Sequence, residues 1–361
     1  MLPCAVALTA AGSLLLLGSV PAWAHATVLV PTAGLLTFWG LSRVFIGHVT
    51  LPSHRNLVWA GVLAALAALS SLQSPQELPP TAVWIAWNAL WLFPVIAFIS
   101  KDERTAIDDA VRCAAWILMV LAFYQRLVLG IEAPASALPS STAYAATVLL
   151  LIPLALERRD RLLACGLLIT LLWSASVGAW LGLFAAFTLL NPWTPGFRLY
   201  AGLTGVVVCA IVIYGRIDSV EVIARAEQWV EAWRWIGSHP LLGMGPGSWK
   251  PDSPAAYPLV VAAEFGVPFA LLWFAGIWHC LTTGGSYKRF GALAVLMHSI
   301  WDPVFMAPAN LWLLCYCTAS SISEGSEGVE IPVRWRLPAA AAIAFLGFFI
   351  GRSALAAWGG H

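Results

Sequence analysis

Charge is what this chain most lacks. Only 10% of its 361 residues are Asp, Glu, Lys or Arg, and the net charge is +1. No basic stripe exists to neutralise phosphates and release their counterions, which excludes nucleic acid as a partner. The cysteines lack pairing signals too. Cys4, Cys113, Cys165, Cys209, Cys280, Cys315 and Cys317 fall into neither a Cys-x-x-Cys pair nor a zinc-ligand spacing. No disulfide framework and no metal site are therefore expected, and these residues read as small apolar packing groups. No repeat of fixed period and no low-complexity linker divides the chain, so residues 1–361 read as one domain.

Apolar residues fill the space that charge leaves. They make up 60% of the chain, and mean hydropathy is +0.81. They fall in runs of about 18 to 23, the length that crosses a hydrocarbon core. The fold expected is all-α, a polytopic membrane bundle of about 12–13 helices with one long external loop. Spans are expected near 2–22, 27–46, 57–73, 82–100, 112–130, 144–156, 162–176, 179–191, 198–215, 257–281, 290–306, 309–322 and 337–358. The first run ends in Ala22-Trp23-Ala24, which mimics a cleavage site, but it lacks a basic n-region and reads as a retained helix. Trp23, Trp193, Trp249 and Trp335 near segment ends suit interfacial belts.

Lys and Arg in the short loops set the orientation. Arg43 with Arg55, Lys101 with Arg104, Glu157–Arg161, Arg198, Lys288-Arg289 and Arg334 with Arg336 all fall on one side. The opposite loops, such as residues 73–81, carry no basic residue. The N-terminus is then cytoplasmic and the long loop, residues 216–256, is external.

That loop is the least membrane-like part of the chain. Ser219 caps an expected amphipathic helix over about 220–237, stopped by Gly237. Helical spacing puts Val222, Ala226, Trp229, Trp233 and Ile236 on one face and Glu227, Glu231 and Arg234 on the other. Arg225 falls at the edge of the apolar face. An arginine directed toward a membrane domain needs a carboxylate or an anion. Glu221 at i−4 is one partner, and a diphosphate, bound through two parallel hydrogen bonds, is the other. The run His239-Pro240-Leu241-Leu242-Gly243-Met244-Gly245-Pro246-Gly247-Ser248-Trp249 follows. Its glycines permit tight turns and close backbone approach, but no strand precedes them, so it is neither a Rossmann nor a P-loop motif. No cofactor is expected.

Arg225-x-x-x-Trp229, Pro240 to Trp249, and Glu264-x-Gly266 match, in order and spacing, the loop motif of a known group. On these residues the chain resembles the O-antigen ligase and O-antigen polymerase family of polytopic bacterial glycosyltransferases, which are C-type glycosyltransferase-like. Weaker features also occur in order: Tyr124-Gln125-Arg126, Ser176-Val177-Gly178-Ala179-Trp180-Leu181-Gly182, His298 to Asp302, and Pro308. The resemblance spans roughly residues 80–325, and its loop motif is the sharp part.

The resemblance implies transfer or polymerisation of a glycan from an undecaprenyl-diphosphate carrier to a lipid or saccharide acceptor. The reaction would be inverting and metal-independent, at the external face of the bacterial cytoplasmic membrane. It implies diphosphate or glycan binding by Arg126, Arg225, Trp229, Gly243, Gly245, Gly247 and Glu264. The family's His-Asn pair falls on Ala255-Ala256, and the arginine of its Ser-Arg-Gly motif falls on Val177. His239 is then a candidate base beside the candidate catalytic Arg225, or simply a solvated loop residue. His298 and Asp302, at i and i+4, are expensive in lipid and must face protein or a cavity. They read either as a structural pair or as catalytic groups. The alternatives for the whole chain are an inactive relative and a transporter or flippase of lipid-linked saccharides.

Overall fold

The computed structural model describes residues 1–51, 54–73, 99, 101–190, 219–249, 256–283, 285–320 and 327–359. For 48–51, 54–57, 101, 219–225, 327–330, 349, 353–354 and 356–359 only the backbone is described. The expected span at 198–215, all of the span at 82–100 except Ile99, and Ala255 lie outside the described residues.

The described chain is helical apart from one short ribbon. In order, the helices are α1 (Leu2–Leu15), α2 (Ala22–Ile46), α3 (His54–Ser71), α4 (Lys101–Leu127), α5 (Ser141–Glu157), α6 (Arg161–Trp173) and α7 (Val177–Leu190). Then follow α8 (Ser219–Ser238), α9 (Tyr257–Phe265), α10 (Val267–Thr283), α11 (Lys288–His298), α12 (Pro308–Ser320) and α13 (Val333–Gly359). Local chemistry sets several of the ends. Ser140 Oγ accepts from the Ala143 N–H at 3.1 Å and Asp160 Oδ1 accepts from the Leu163 N–H at 3.1 Å, starting α5 and α6. Gly47, at φ 84°, stops α2.

Helices apolar on every side belong in the middle. Every residue of α12 is buried, as is nearly all of α5, and α11 packs against α5, α7 and α12. Around this centre, α1 lies against α2 and α4, and α13 lies along α2. The outer faces stay apolar. Phe38, Phe45, Leu72, Leu162, Leu271, Phe345 and Phe348 are all exposed. Among the described residues, two helices are long and apolar enough to cross a membrane, Ala22–Ile46 and the Val333–Arg352 part of α13. The remaining apolar helices are shorter.

One end of the bundle is held by buried charge. Lys288 Nζ lies 2.7 and 2.9 Å from the two carboxylate oxygens of Asp108, Arg158 reaches the same carboxylate at 3.4 Å, and the Tyr316 hydroxyl donates to it. Ser286 donates to Glu157 at 2.9 Å, and Arg104 donates to the Ser320 carbonyl at 3.2 Å. The basic loops around residues 101–104, 157–161 and 286–289 thus meet at the same end.

Several expectations are corrected. The run 2–22 is not one helix. It breaks after Leu15, where Leu17, Gly18 and Ser19 take φ of 51°, 66° and 58°. The run 257–281 is divided at Gly266, at φ 87°. The run 290–306 ends as an α-helix at His298 and continues through a turn into a 3-10 turn, Val304–Met306. An antiparallel ribbon, β1 (His48–Leu51) with β2 (Glu327–Glu330), joins two loops in the register His48 to Glu330 and Leu51 to Glu327. Trp249 is buried rather than interfacial.

Candidate functional site

Helix α8 forms where the loop's amphipathic pattern places it, Ser219–Ser238 against the expected 220–237. Its buried stripe is turned from the expected one. Ala232 and Ile236 are buried and Trp229 is half-buried, whereas Ala226 and Trp233 are exposed. Trp235 provides the reason: its ring meets the buried Trp249 edge-on at 5.4 Å, drawing the 232–235–236 side inward. Arg225 lies in the first half of α8 on its described backbone, and its side chain lies outside the described residues.

The glycine run and α9 form one clasp. A helix ends with carbonyls that have no intrahelical donor. Here the loop supplies the donors: Met244 N–H to the Ala263 carbonyl and Gly245 N–H to the Glu264 carbonyl, both at 2.9 Å. Ser70 of α3 adds a hydroxyl to the Glu264 carbonyl at 2.7 Å. The Glu264 carboxylate reaches back, its Oε1 accepting from the N–H of Gly247 at 3.0 Å and of Trp249 at 3.2 Å. Val267 N–H closes the loop onto the Pro240 carbonyl at 2.9 Å. A Cβ on Gly243 would lie 2.3 Å from the Glu264 carbonyl, and one on Gly266 would lie 2.2 Å from the Leu241 carbonyl. Gly243, Gly245, Gly247 and Glu264 are thus brought together, and they bind one another.

The isolated candidates stand apart from the clasp. His239 is exposed, and its Nδ1 lies 2.9 Å from the Ser238 hydroxyl. Arg126 donates from Nη1 to the Glu132 main-chain carbonyl at 2.8 Å, so its contact is with the backbone rather than with the carboxylate.

His298 and Asp302 form a fully built pair. The helical part of α11 stops at His298, but the Asp302 N–H still reaches the His298 carbonyl at 3.1 Å, which keeps the two side chains stacked. Nε2 of His298 lies 3.0 Å from Asp302 Oδ2 and 3.1 Å from Ser176 Oγ. Ser176 Oγ also accepts from the Ala179 N–H at 3.3 Å at the start of α7. The backbone turns sharply just before it, with Ala175 at φ 55°. Helix α7 can approach because of Gly178 and Gly182. A Cβ on Gly178 would sit 2.7 Å from His298 Cδ2, and one on Gly182 would sit 2.1 Å from the Ala294 carbonyl. Reading the sequence in order places Ser176 in one motif and His298 in another, without joining them. The small residues at i and i+4 in α7 are the signal of close helix approach that connects the two.

The clasp and this pair share a border. The Tyr257 N–H, at the start of α9, donates to the Ser299 carbonyl at 3.0 Å. Trp229 of α8 lies against Trp301, ring centroids 6.0 Å apart. The turn Ser299–Trp301, between His298 and Asp302, is therefore gripped by both α8 and α9. Ala256 is buried beside Tyr257. No family model matches the chain, and no curated protein matches it.

Proposed function

We propose that the chain is a polytopic cytoplasmic-membrane glycosyltransferase of the O-antigen ligase or polymerase type. It moves glycan from an undecaprenyl-diphosphate carrier to an acceptor sugar on the external face. The observation that carries this reading is the convergence of the loop motif. The Arg225–Trp229 helix, the Gly243–Trp249 turn and Glu264-x-Gly266 pack as one unit on the bundle. The apolar outer faces of α2, α4, α6, α10 and α13 support a multi-pass arrangement, since a water-soluble surface rarely carries so many exposed large apolar groups. The meeting of three basic loops at one bundle end supports a cytoplasmic side there. The external loop then lies opposite.

Arg225 is the residue on which the reading turns, as the guanidinium that would take the leaving diphosphate. Arg225→Ala should remove polymerised or attached surface glycan at unchanged protein level. Unaltered glycan in that variant counts against the assignment. A second reading, an inactive relative or a transporter of lipid-linked saccharides, is favoured by Ala255-Ala256 and Val177. It predicts translocation of the lipid-linked saccharide across proteoliposomes without any transfer.

A further inference from the structure

We propose that His298 is the general base of this site. Asp302 and Ser176 hold its Nε2–H, and its Nδ1 lone pair receives the proton of the acceptor hydroxyl. The inference rests on the transferase reading above and names the group that activates its acceptor.

It begins with hydrogen-bond roles. An ionised carboxylate only accepts, so the nitrogen facing Asp302 Oδ2 at 3.0 Å carries the hydrogen. Ser176 Oγ lies 3.1 Å from the same Nε2. A neutral imidazole protonated at Nε2 has its lone pair at Nδ1, and the partner of one ring nitrogen thereby sets the chemistry of the other. Nδ1 of His298 is buried and has no hydrogen-bond partner among the described residues. Buried polar atoms are nearly always satisfied, and one left open beside an oriented carboxylate–imidazole pair calls for a reactant or a water.

The surroundings hold the ring in this orientation. A Cβ on Gly178 would lie 2.7 Å from Cδ2, 3.3 Å from Nε2 and 3.0 Å from Asp302 Oδ2. Helix α7 thus covers the Nε2–Cδ2 edge, while Nδ1 belongs to the opposite edge. The pair also lies just below the surface: the Asp302 side chain keeps 11% of its exposure, and Ile300 and Trp301 between the two residues are exposed. The turn they occupy is bound to the external loop through Tyr257–Ser299 and Trp229–Trp301. The step requires an acceptor held against the loop to reach Nδ1 at this turn, directly or through one water.

In the step, the acceptor O–H proton passes to Nδ1 while the acceptor oxygen forms a bond to the anomeric carbon. The bond from that carbon to the diphosphate oxygen breaks, and its electron pair leaves with the diphosphate. Asp302 stabilises the imidazolium that forms, and the proton then returns to the departed diphosphate or to water. His298 is the catalytic group, and Asp302 and Ser176 are positioning residues.

The test uses full-length protein in nanodiscs with 15N-labelled histidine. Difference spectra against His298→Gln assign the His298 signals, which should show the hydrogen on Nε2 and none on Nδ1. That tautomer should be lost in Asp302→Asn and kept in Asp302→Glu. Transfer from an undecaprenyl-diphosphate-linked oligosaccharide should fall about 100-fold or more in kcat for His298→Gln, with KM little changed, since general-base catalysis contributes 10²–10⁴-fold. Active wild-type protein with fully active His298→Gln overturns this proposal alone. Wild-type protein without transfer overturns the transferase reading and this step with it. Should His298→Gln fail to fold, the histidine signals that move in Asp302→Glu identify His298, and an Nδ1–H tautomer there in the wild type overturns the proposal.

Discussion

The carboxylate of Glu264 lies 3.0 Å from the main-chain nitrogen of Gly247, seventeen positions earlier in the chain. This contact, with its neighbour at Trp249, turns a glycine-rich loop into a fixed part of the bundle. It also makes Glu264 a structural acceptor first. Glu264→Ala leaves two enclosed N–H groups without a partner and should lower stability by about 3 kcal/mol, whereas Glu264→Gln keeps an acceptor oxygen and should cost about half as much. Thermal melts in detergent decide this. Equal losses for the two variants would show that the clasp does not act through the side-chain oxygen.

Two glycines bracketing His239 separate backbone need from ordinary helix propensity. Gly243 combines φ of +67° with a Cβ position 2.3 Å from the Glu264 main chain, so Gly243→Ala should cost more than the roughly 1–2 kcal/mol of a left-handed residue. Gly237, in α8, has open space around it. Gly237→Ala should be neutral or stabilising by up to about 1 kcal/mol. Chemical denaturation or melting of the pair gives the comparison directly.

The buried charge cluster at the other end follows the rule that half a pair is worse than none. Lys288 is 3% exposed, and its carboxylate partner among the described residues is Asp108. Asp108→Leu strands the ammonium, and Lys288→Met leaves the carboxylate only the Tyr316 hydroxyl and Arg158 at 3.4 Å. Each should cost about 3–5 kcal/mol, and the double variant clearly less than their sum. A double-mutant cycle on the melting free energies checks it, and additivity would mean the two do not interact.

Sidedness can be read from cysteines introduced at two exposed positions. Ser238→Cys, at the end of α8, should label with a membrane-impermeant maleimide in intact cells, above the background of the native cysteines. Tyr287→Cys, beside the Lys288 cluster, should label only after lysis. Reversal of the two patterns would invert the topology.

Legibility in the sequence tracked how local each cause was. Helix α8 is readable because its charged face and apolar periodicity lie within the element, although Gly237 does not stop it and the helix runs on to Ser238. Its buried side was misassigned because Trp249, outside the helix, rotates the stripe through Trp235. The breaks at Leu17–Ser19 and Gly266 are hidden inside unbroken apolar runs, where hydropathy carries no mark of backbone direction. What fixes them is tertiary: Gly18 meets Leu138 and Pro139, and Gly266 meets Leu241. The ribbon at His48–Leu51 is too short for an alternation signal. At the site, the glycine run and Glu264 were readable as a set, yet their mutual hydrogen bonding was not. Ser176 joins His298 and Asp302 only through the crossing of α7 and α11.

The most direct measurement is transfer by the purified full-length protein. It would be reconstituted with an undecaprenyl-diphosphate-linked oligosaccharide and an acceptor glycan, with release of undecaprenyl diphosphate followed over time. The account predicts release coupled one-to-one to glycan on the acceptor, abolished by Arg225→Ala in protein that melts like the wild type. Absence of release from folded wild-type protein, or undiminished transfer by Arg225→Ala, would contradict it.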